Sequence, residues 1–473
     1  MSHVFFAPTG AWVGDVIPFR HRGRFWLFYL YEARDGTGMP WALVSTTDFV
    51  HFHDHGVVLP SGGEDAPDFN AYTGSVLIDG DTAHLFYTGH HPRRFGPDGR
   101  PEQVVLHAVG DQELITWRKQ PGFVVRPPAG YETADWRDPF VFRTGPDQAW
   151  RMLVSARHKV GPDRRRGVIA QLTSSDLETW EPAEPFWDPG RYLALECPDV
   201  FRLGDWWYLI YSEFSESFTT RYRMARDPDG PWQVPESDTI DGRAYYAAKT
   251  VGDGDRRFFC GWIATREGDA DDGAYQWAGT MSILEARQRP DGTLAFGLPP
   301  ELTATFANEV PTVLAEPRRL AAPDGLAVAV DDVDLPTTVR VTARFAWPEP
   351  ITECGLLLRT DDEGETGYRL RLEPRRNRVV LDRWPRTRTG DEQWQLSGDV
   401  PYAIELERPC PLPPGEHTIE LIMEDTVLVA VIDDAVVLSA RIYDHRTGRL
   451  GVFAGEGTVD VSAVTVTTRP SVP

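Results

Sequence analysis

Short apolar runs rich in aromatic residues recur up to about residue 300 at a period of roughly 50 to 60, a signature of propellers or solenoids. The clearest are residues 24–29 (RFWLFY), 83–88 (AHLFYT), 150–155 (WRMLVS), 206–211 (WWYLIY) and 257–262 (RFFCGW). Each follows a shorter apolar run across a turn rich in Gly and Asp: 16–19, 75–78, 140–142, 199–201 and 247–251. Two strands joined in this way make a hairpin. A second strand pair then carries a recurring turn, Ser45-Thr46-Thr47-Asp48-Phe49 and Thr173-Ser174-Ser175-Asp176-Leu177, more loosely Gly110-Asp111-Gln112-Glu113-Leu114. Four strands repeated five times predict an all-β chain that begins with a five-bladed β-propeller. No helical periodicity competes over this region.

After Pro299-Pro300 the repeat stops. Residues 301–322 read as a linker, and from there period-2 alternation takes over in 338–345, 368–373, 418–423 and 427–432. That pattern predicts a C-terminal β-sandwich. The expected division is therefore 1–300 propeller, 301–322 linker and 323–473 sandwich, the last with a structural or sugar-docking role.

A propeller sets the first strand of every blade around one channel, all running the same way, so the starts of those strands ring one mouth. Acidic residues stand there in three repeats: Asp15 in 11–19, Asp138 in 134–142 and Glu196 in 195–201. Three carboxyl groups distant in sequence are thus predicted to meet. Glycosidic cleavage needs such a set, one acid to protonate the leaving oxygen and one carboxylate to attack or activate water. Glu196, between Leu195 and Cys197, is the expected acid because apolar neighbours raise its pKa; Asp15 is expected to stay ionised, and Arg137 to hold Asp138 charged. Singly, each is better explained as a hairpin turn former, since the chain has 71 acidic residues. Their equivalent placement in three repeats favours the chemical reading. Most aromatic residues read as blade core, with Trp12 and Trp41 the expected sugar-stacking surfaces. His90-His91 reads as a loop.

Charge narrows the partners. A formal net charge of −23 disfavours nucleic acid and anionic membranes and is compatible with a neutral small carbohydrate. Cys197, Cys260, Cys354 and Cys410 lack disulfide or zinc spacing. The first residues lack a signal-peptide pattern, so the expected location is cytoplasmic; the oligomeric state is left open.

At the residues already named, the chain resembles glycoside hydrolase family 32, the invertase, inulinase and levanase group. The family's RDP motif is matched by Arg137-Asp138-Pro139, its EC motif by Glu196-Cys197, and its aromatic-Ser/Thr-Gly-Ser motif by Tyr72-Thr73-Gly74-Ser75. Trp41-Ala42-Leu43-Val44-Ser45 echoes WGHA-S, and Tyr245-Tyr246-Ala247 echoes FYA. The resemblance implies a retaining double displacement on a β-fructofuranoside, with Asp15 as nucleophile, Glu196 as acid/base and Asp138 as transition-state stabiliser. It implies Tyr72, Ser75, Arg137, Cys197 and Tyr245 as substrate-binding residues beside Trp12 and Trp41, and no metal or organic cofactor. The first motif departs from W-M-N-D-P-N-G, with Gly14 for the Asn before the nucleophile and the P-N-G gone, and the Gln that follows the family's first aromatic strand is here Leu30. Both lost amides contact the fructosyl unit in the family, which leaves open a modified fructoside, an unusual fructan linkage or another furanoside. Two rival readings remain: an inverting propeller enzyme like family 43, acting on arabinofuranosides or xylosides, and a carbohydrate-binding propeller without turnover.

Overall fold

The computed structural model describes residues 3–385 and 406–470. Its first blade comprises Trp12–His21, Arg24–Glu32, Trp41–Thr46 and His53–Leu59. The second comprises Asn70–Asp79, Thr82–Phe95, Pro101–Gly110 and Trp117–Lys119. Tyr131–Phe142, Trp150–His158, Gly167–Ser174 and Glu181–Pro182 form the third. Glu196–Leu203, Trp206–Glu213 and Thr219–Ala225 form the fourth, and Tyr245–Asp253, Arg256–Arg266, Tyr275–Gln288 and Leu294–Gly297 the fifth. The fourth blade's outer strand is reduced to two isolated bridges, Arg221 with Thr239 and Met224 with Gln233. Pro228, Pro231 and Pro235 interrupt that segment, and a proline has no N–H to give a ladder.

The blades are held together by apolar layers between neighbours. Phe28 and Trp41 of blade 1 pack with Leu85 and Tyr87 of blade 2, and Phe86 and Val105 of blade 2 with Trp136 and Met152 of blade 3. Leu153 and Ile169 join Leu209 and Tyr211, and Tyr208 and Ile210 join Phe259 and Leu284. Phe258 and Ile283 of blade 5 return to Val16 and Phe25 of blade 1, which closes the ring. Val13 also pairs with Gly279, and Met281 N–H donates to Phe6 O at 2.9 Å. The recurring turn of the sequence is one structure used repeatedly. Asp48 Oδ1 accepts from the N–H groups of Val50 and His51, Asp176 Oδ1 from those of Glu178 and Thr179, and Phe49, Leu114 and Leu177 all have positive φ.

The remaining strands form one eleven-stranded network folded on itself. The 20-residue strand Arg449–Thr468 is its spine: the first half pairs with Glu353–Thr360, the second with Thr338–Trp347, and Arg318–Asp334 runs along its other edge. Val339, Val341, Ala343, Phe345 and Trp347 alternate into the core against Leu356, Leu370 and Leu372, as a strand with one buried face requires. Residues 308–310 and 318–322, within the segment expected to connect the two parts, already pair with the spine.

The sandwich is joined to the propeller by shared core and by buried polar contacts. Ile422, Val427, Val429 and Val431 lie in one apolar cluster with Phe201, Tyr208 and Phe296. Asp241 accepts from Ser439 N–H at 3.0 Å and from its hydroxyl at 2.6 Å, while Arg441 donates to the carbonyls of Ile263 and Ala264. Among the described residues, no helix is long and apolar enough to cross a membrane.

Candidate active site

The first strand of every blade carries one residue more than the strand it pairs with, near its start. Between Val13 and Val16, Tyr72 and Gly74, Arg137 and Phe140, Glu196 and Asp199, and Tyr246 and Lys249, the register slips by one. A bulge of this kind breaks the ladder and re-aims the side chains around it. Five bulges therefore form a ring at one end of the channel, and Asp15, Thr73, Asp138, Cys197 and Ala247 are the residues they displace. Asp138 and Cys197 have positive φ, 58° and 50°, and each precedes a proline. The N–H groups released from the ladders are taken up by the preceding blade: Asp138 N–H donates to Thr88 Oγ1 at 2.8 Å, and Cys197 N–H to Asp138 Oδ2 at 2.9 Å.

Asp15, Asp138 and Glu196 meet at this ring. Asp15 Oδ2 accepts from the Thr73 hydroxyl at 2.5 Å and the Cys197 thiol at 3.6 Å, and Oδ1 accepts from Trp262 Nε1 at 3.0 Å. Glu196 Oε1 accepts from Arg137 Nη2 at 3.0 Å and Oε2 from the Tyr246 hydroxyl at 2.6 Å. Arg137 also reaches Asp138 Oδ2 at 3.9 Å and Asp135 Oδ1 at 2.8 Å. One guanidinium thus faces three carboxylates. Asp138 is sealed at 3% exposure, whereas Asp15 and Glu196 are only half-buried and so open to a ligand.

Burial pushes the pKa of all three acids above the ordinary carboxylate values. For Asp15 the rise survives the opposing hydrogen bonds from Thr73 and Trp262 and is reinforced by the charge of Glu196. For Asp138 and Glu196 it survives the attraction of Arg137. Asp15, expected to stay ionised, is favoured as a carboxylate by Thr73 and Trp262, while burial shifts its ionisation to higher pH. The expectation for Glu196 is right in direction. Its contacts, however, are Arg137 and Tyr246, because neighbours in sequence are not neighbours across a bulge. Each of the three acids thus gives up its proton at higher pH than a free carboxyl.

Of the residues expected to bind substrate, Arg137 and Cys197 lie in the cluster. Tyr72 lies at its edge, its ring stacked on His90 at 4.9 Å. Three expectations are corrected. Trp41 is fully buried, donating to the carbonyls of Ala71 and Tyr72, and offers no surface for a sugar. Ser75 is 4% exposed and its hydroxyl is engaged by Val141 N–H at 3.0 Å. Tyr245 is core, donating to Phe259 O at 3.1 Å, and the adjacent Tyr246 is the one that reaches Glu196. The Trp12 ring lies beneath the Arg34 guanidinium, 5.3 Å away, on a cleft of about 430 Å³ whose other wall includes Arg441 and Tyr443 of the sandwich.

Sequence reasoning missed Thr73, Trp262, Tyr246 and Trp277. The two lost amide positions, 14 and 30, lie together beside the last of these. A Cβ on Gly14 would stand 2.3 Å from the Trp277 ring and 2.9 Å from Leu30 Cβ, so the indole occupies the place of a side chain at position 14. Trp277 also contacts Trp262, with centroids 6.0 Å apart, and is 38% exposed.

The family model "Glycosyl hydrolases family 32 N-terminal domain" matches residues 5–288, more than half of the chain. The chain belongs to glycosyl hydrolase family 32. A sucrose-6-phosphate hydrolase of Vibrio alginolyticus is 29% identical over 290 residues, which cover 57% of this chain and 57% of that relative. A sucrose-6-phosphate hydrolase of Escherichia coli is 25% identical over 482 residues, covering 96% and 92%. Among solved structures, the exo-inulinase from Aspergillus awamori superposes with a TM-score of 0.77 at 18% identity, covering 99% of this chain and 98% of that one. At that identity the superposition speaks for the fold, a propeller followed by a sandwich.

Proposed function

We propose that this family 32 glycosidase cleaves a β-fructofuranoside, or a closely related furanoside, by double displacement with retention. The observation that carries the proposal is the convergence of Asp15, Asp138 and Glu196: Arg137 joins Asp138 to Glu196, and Cys197 joins Asp138 through its N–H to Asp15 through its thiol. In this reading Glu196 gives its proton to the leaving oxygen as the Asp15 carboxylate attacks the anomeric carbon, forming a glycosyl ester and releasing the alcohol. Water then attacks the ester, Glu196 takes back a proton, and Asp15 leaves as the carboxylate. Thr73, Trp262 and Cys197 hold Asp15 in the position of attack. Asp138, anchored by Cys197 N–H, acts through its charge beside the oxocarbenium-like transition state. The relatives' names, sucrose-6-phosphate hydrolase and exo-inulinase, support a fructosyl donor.

A panel of aryl furanosides and short fructans, followed by NMR, tests this. Release of fructose with the first-formed anomer retaining the substrate's configuration is expected. An inverted first anomer would overturn the double displacement, and failure to release fructose from any of them would overturn the fructosyl donor.

A further inference from the structure

Behind Glu196 runs a row of alternating charges that the three-acid reading does not use. Arg137 turns Nη2 onto Glu196 and Nη1 onto Asp135 Oδ1, with Gln103 Oε1 also accepting from Nη1 at 3.3 Å. Asp135 Oδ2 is approached by Arg100 and Arg157, each at 3.4 Å. Both arginines bind Glu132, whose other oxygen accepts from Arg166, and Arg166 reaches the exposed Asp163. The side chains of Arg137, Asp135, Arg157, Glu132 and Arg166 are between 8% and 14% exposed, so this row crosses the interior between blades 2 and 3. Buried ion pairs are costly to desolvate and are weak devices for stability, which makes a row of them beside an acid unusual as mere scaffolding.

We infer that Asp135 is a positioning residue for the reaction, deciding how much of the Arg137 charge reaches Glu196, and that Glu132 acts one step further out by holding Arg100 and Arg157 on Asp135. The inference rests on Glu196 being the proton donor. Asp135 and Glu196 share one guanidinium through different nitrogens, so negative charge on Asp135 weakens the field of Arg137 at Glu196. The other groups facing Glu196 are Tyr246, which donates to it, and the carboxyls of Asp138 and Asp15 together with the Cys197 thiol. None of these bonds Asp135. Arg137, Arg157 and Arg100 hold the Asp135 carboxyl below its ordinary pKa against the effect of burial, so it carries charge throughout the working range.

The test is the pH dependence of kcat/KM for Asp135→Asn and Glu132→Gln in the full-length chain, on whichever furanoside the wild type hydrolyses. Asparagine keeps an oxygen for Arg137 and removes the charge. The full field of Arg137 then falls on Glu196, its proton is lost earlier, and the basic limb moves down by about one pH unit, with KM at the optimum within threefold of wild type. Glu132→Gln moves it the same way by less, and it carries the test if Asp135→Asn does not fold. Asp135→Glu restores the wild-type limb. A basic limb unmoved or moved upward in a folded variant overturns the inference. Failure of the underlying reading looks different: Glu196→Gln retains turnover, and the wild type shows no basic limb.

Discussion

At the scale of residues, the acids are set by what donates to them. Thr73 and Trp262 favour the Asp15 carboxylate, and Tyr246 favours that of Glu196, in each case against the cost of burial. Thr73→Val removes one donor, leaves Asp15 harder to ionise, and is expected to move the acidic limb of the kcat/KM profile to higher pH with a fall in turnover. Tyr246→Phe is expected to move the basic limb up, because Glu196 then keeps its proton longer. A profile from pH 4 to 9 for each variant checks both directions. The two limbs responding separately would tie each tuning group to its own acid; one common shift would mean that the wrong groups have been paired.

At the scale of elements, the bulge is the unit that turns a regular sheet into a site. Strand periodicity and blade spacing were legible in the sequence, and with them the meeting of Asp15, Asp138 and Glu196, because acids at equivalent starts of repeated strands must share a channel mouth. Which face each neighbour presents was not legible. One inserted residue reverses the inward-outward alternation, and composition carries no sign of where that happens. Hence Thr73 stands at the site where Tyr72 and Ser75 were expected, and Tyr246 where Tyr245 was. Trp41 was misread for another reason: its segment belongs to the third strand of its blade, where an indole fills the layer between blades. The geometry of the bulges is checkable at Gly74, where a Cβ would stand 1.9 Å from Phe86 O. Gly74→Ala must push the first strand of blade 2 off its partner, at about 1 to 3 kcal/mol. Thermal melts should show that loss together with reduced turnover through Thr73, whereas an unchanged melt would contradict the described packing.

At the scale of the whole molecule, five apolar layers close the propeller, and the one between blades 4 and 5 continues into the sandwich. Phe201, Tyr208 and Phe296 share a cluster with Ile422, Val427 and Val429, so a chain ending at residue 322 uncovers that surface. Such a truncated chain is expected to be insoluble or to lose cooperative unfolding; a soluble, active propeller would show the sandwich to be a separable module. The closed ring also carries a strained cluster at its mouth. A carboxyl with a raised pKa binds more protons folded than unfolded. Its contribution to stability therefore falls as pH rises past the ordinary 3.8 and stays unfavourable above the folded value. Asp15→Asn removes that cost at neutral pH, and the fold should melt higher than wild type at pH 7, with the gain vanishing near pH 3.8. The most direct measurement is the turnover of that same variant on a β-fructofuranoside. A loss on the order of ten-thousand-fold in a protein at least as stable as wild type is the expected result. Turnover within tenfold of wild type would contradict the assignment of Asp15, and with it the double displacement.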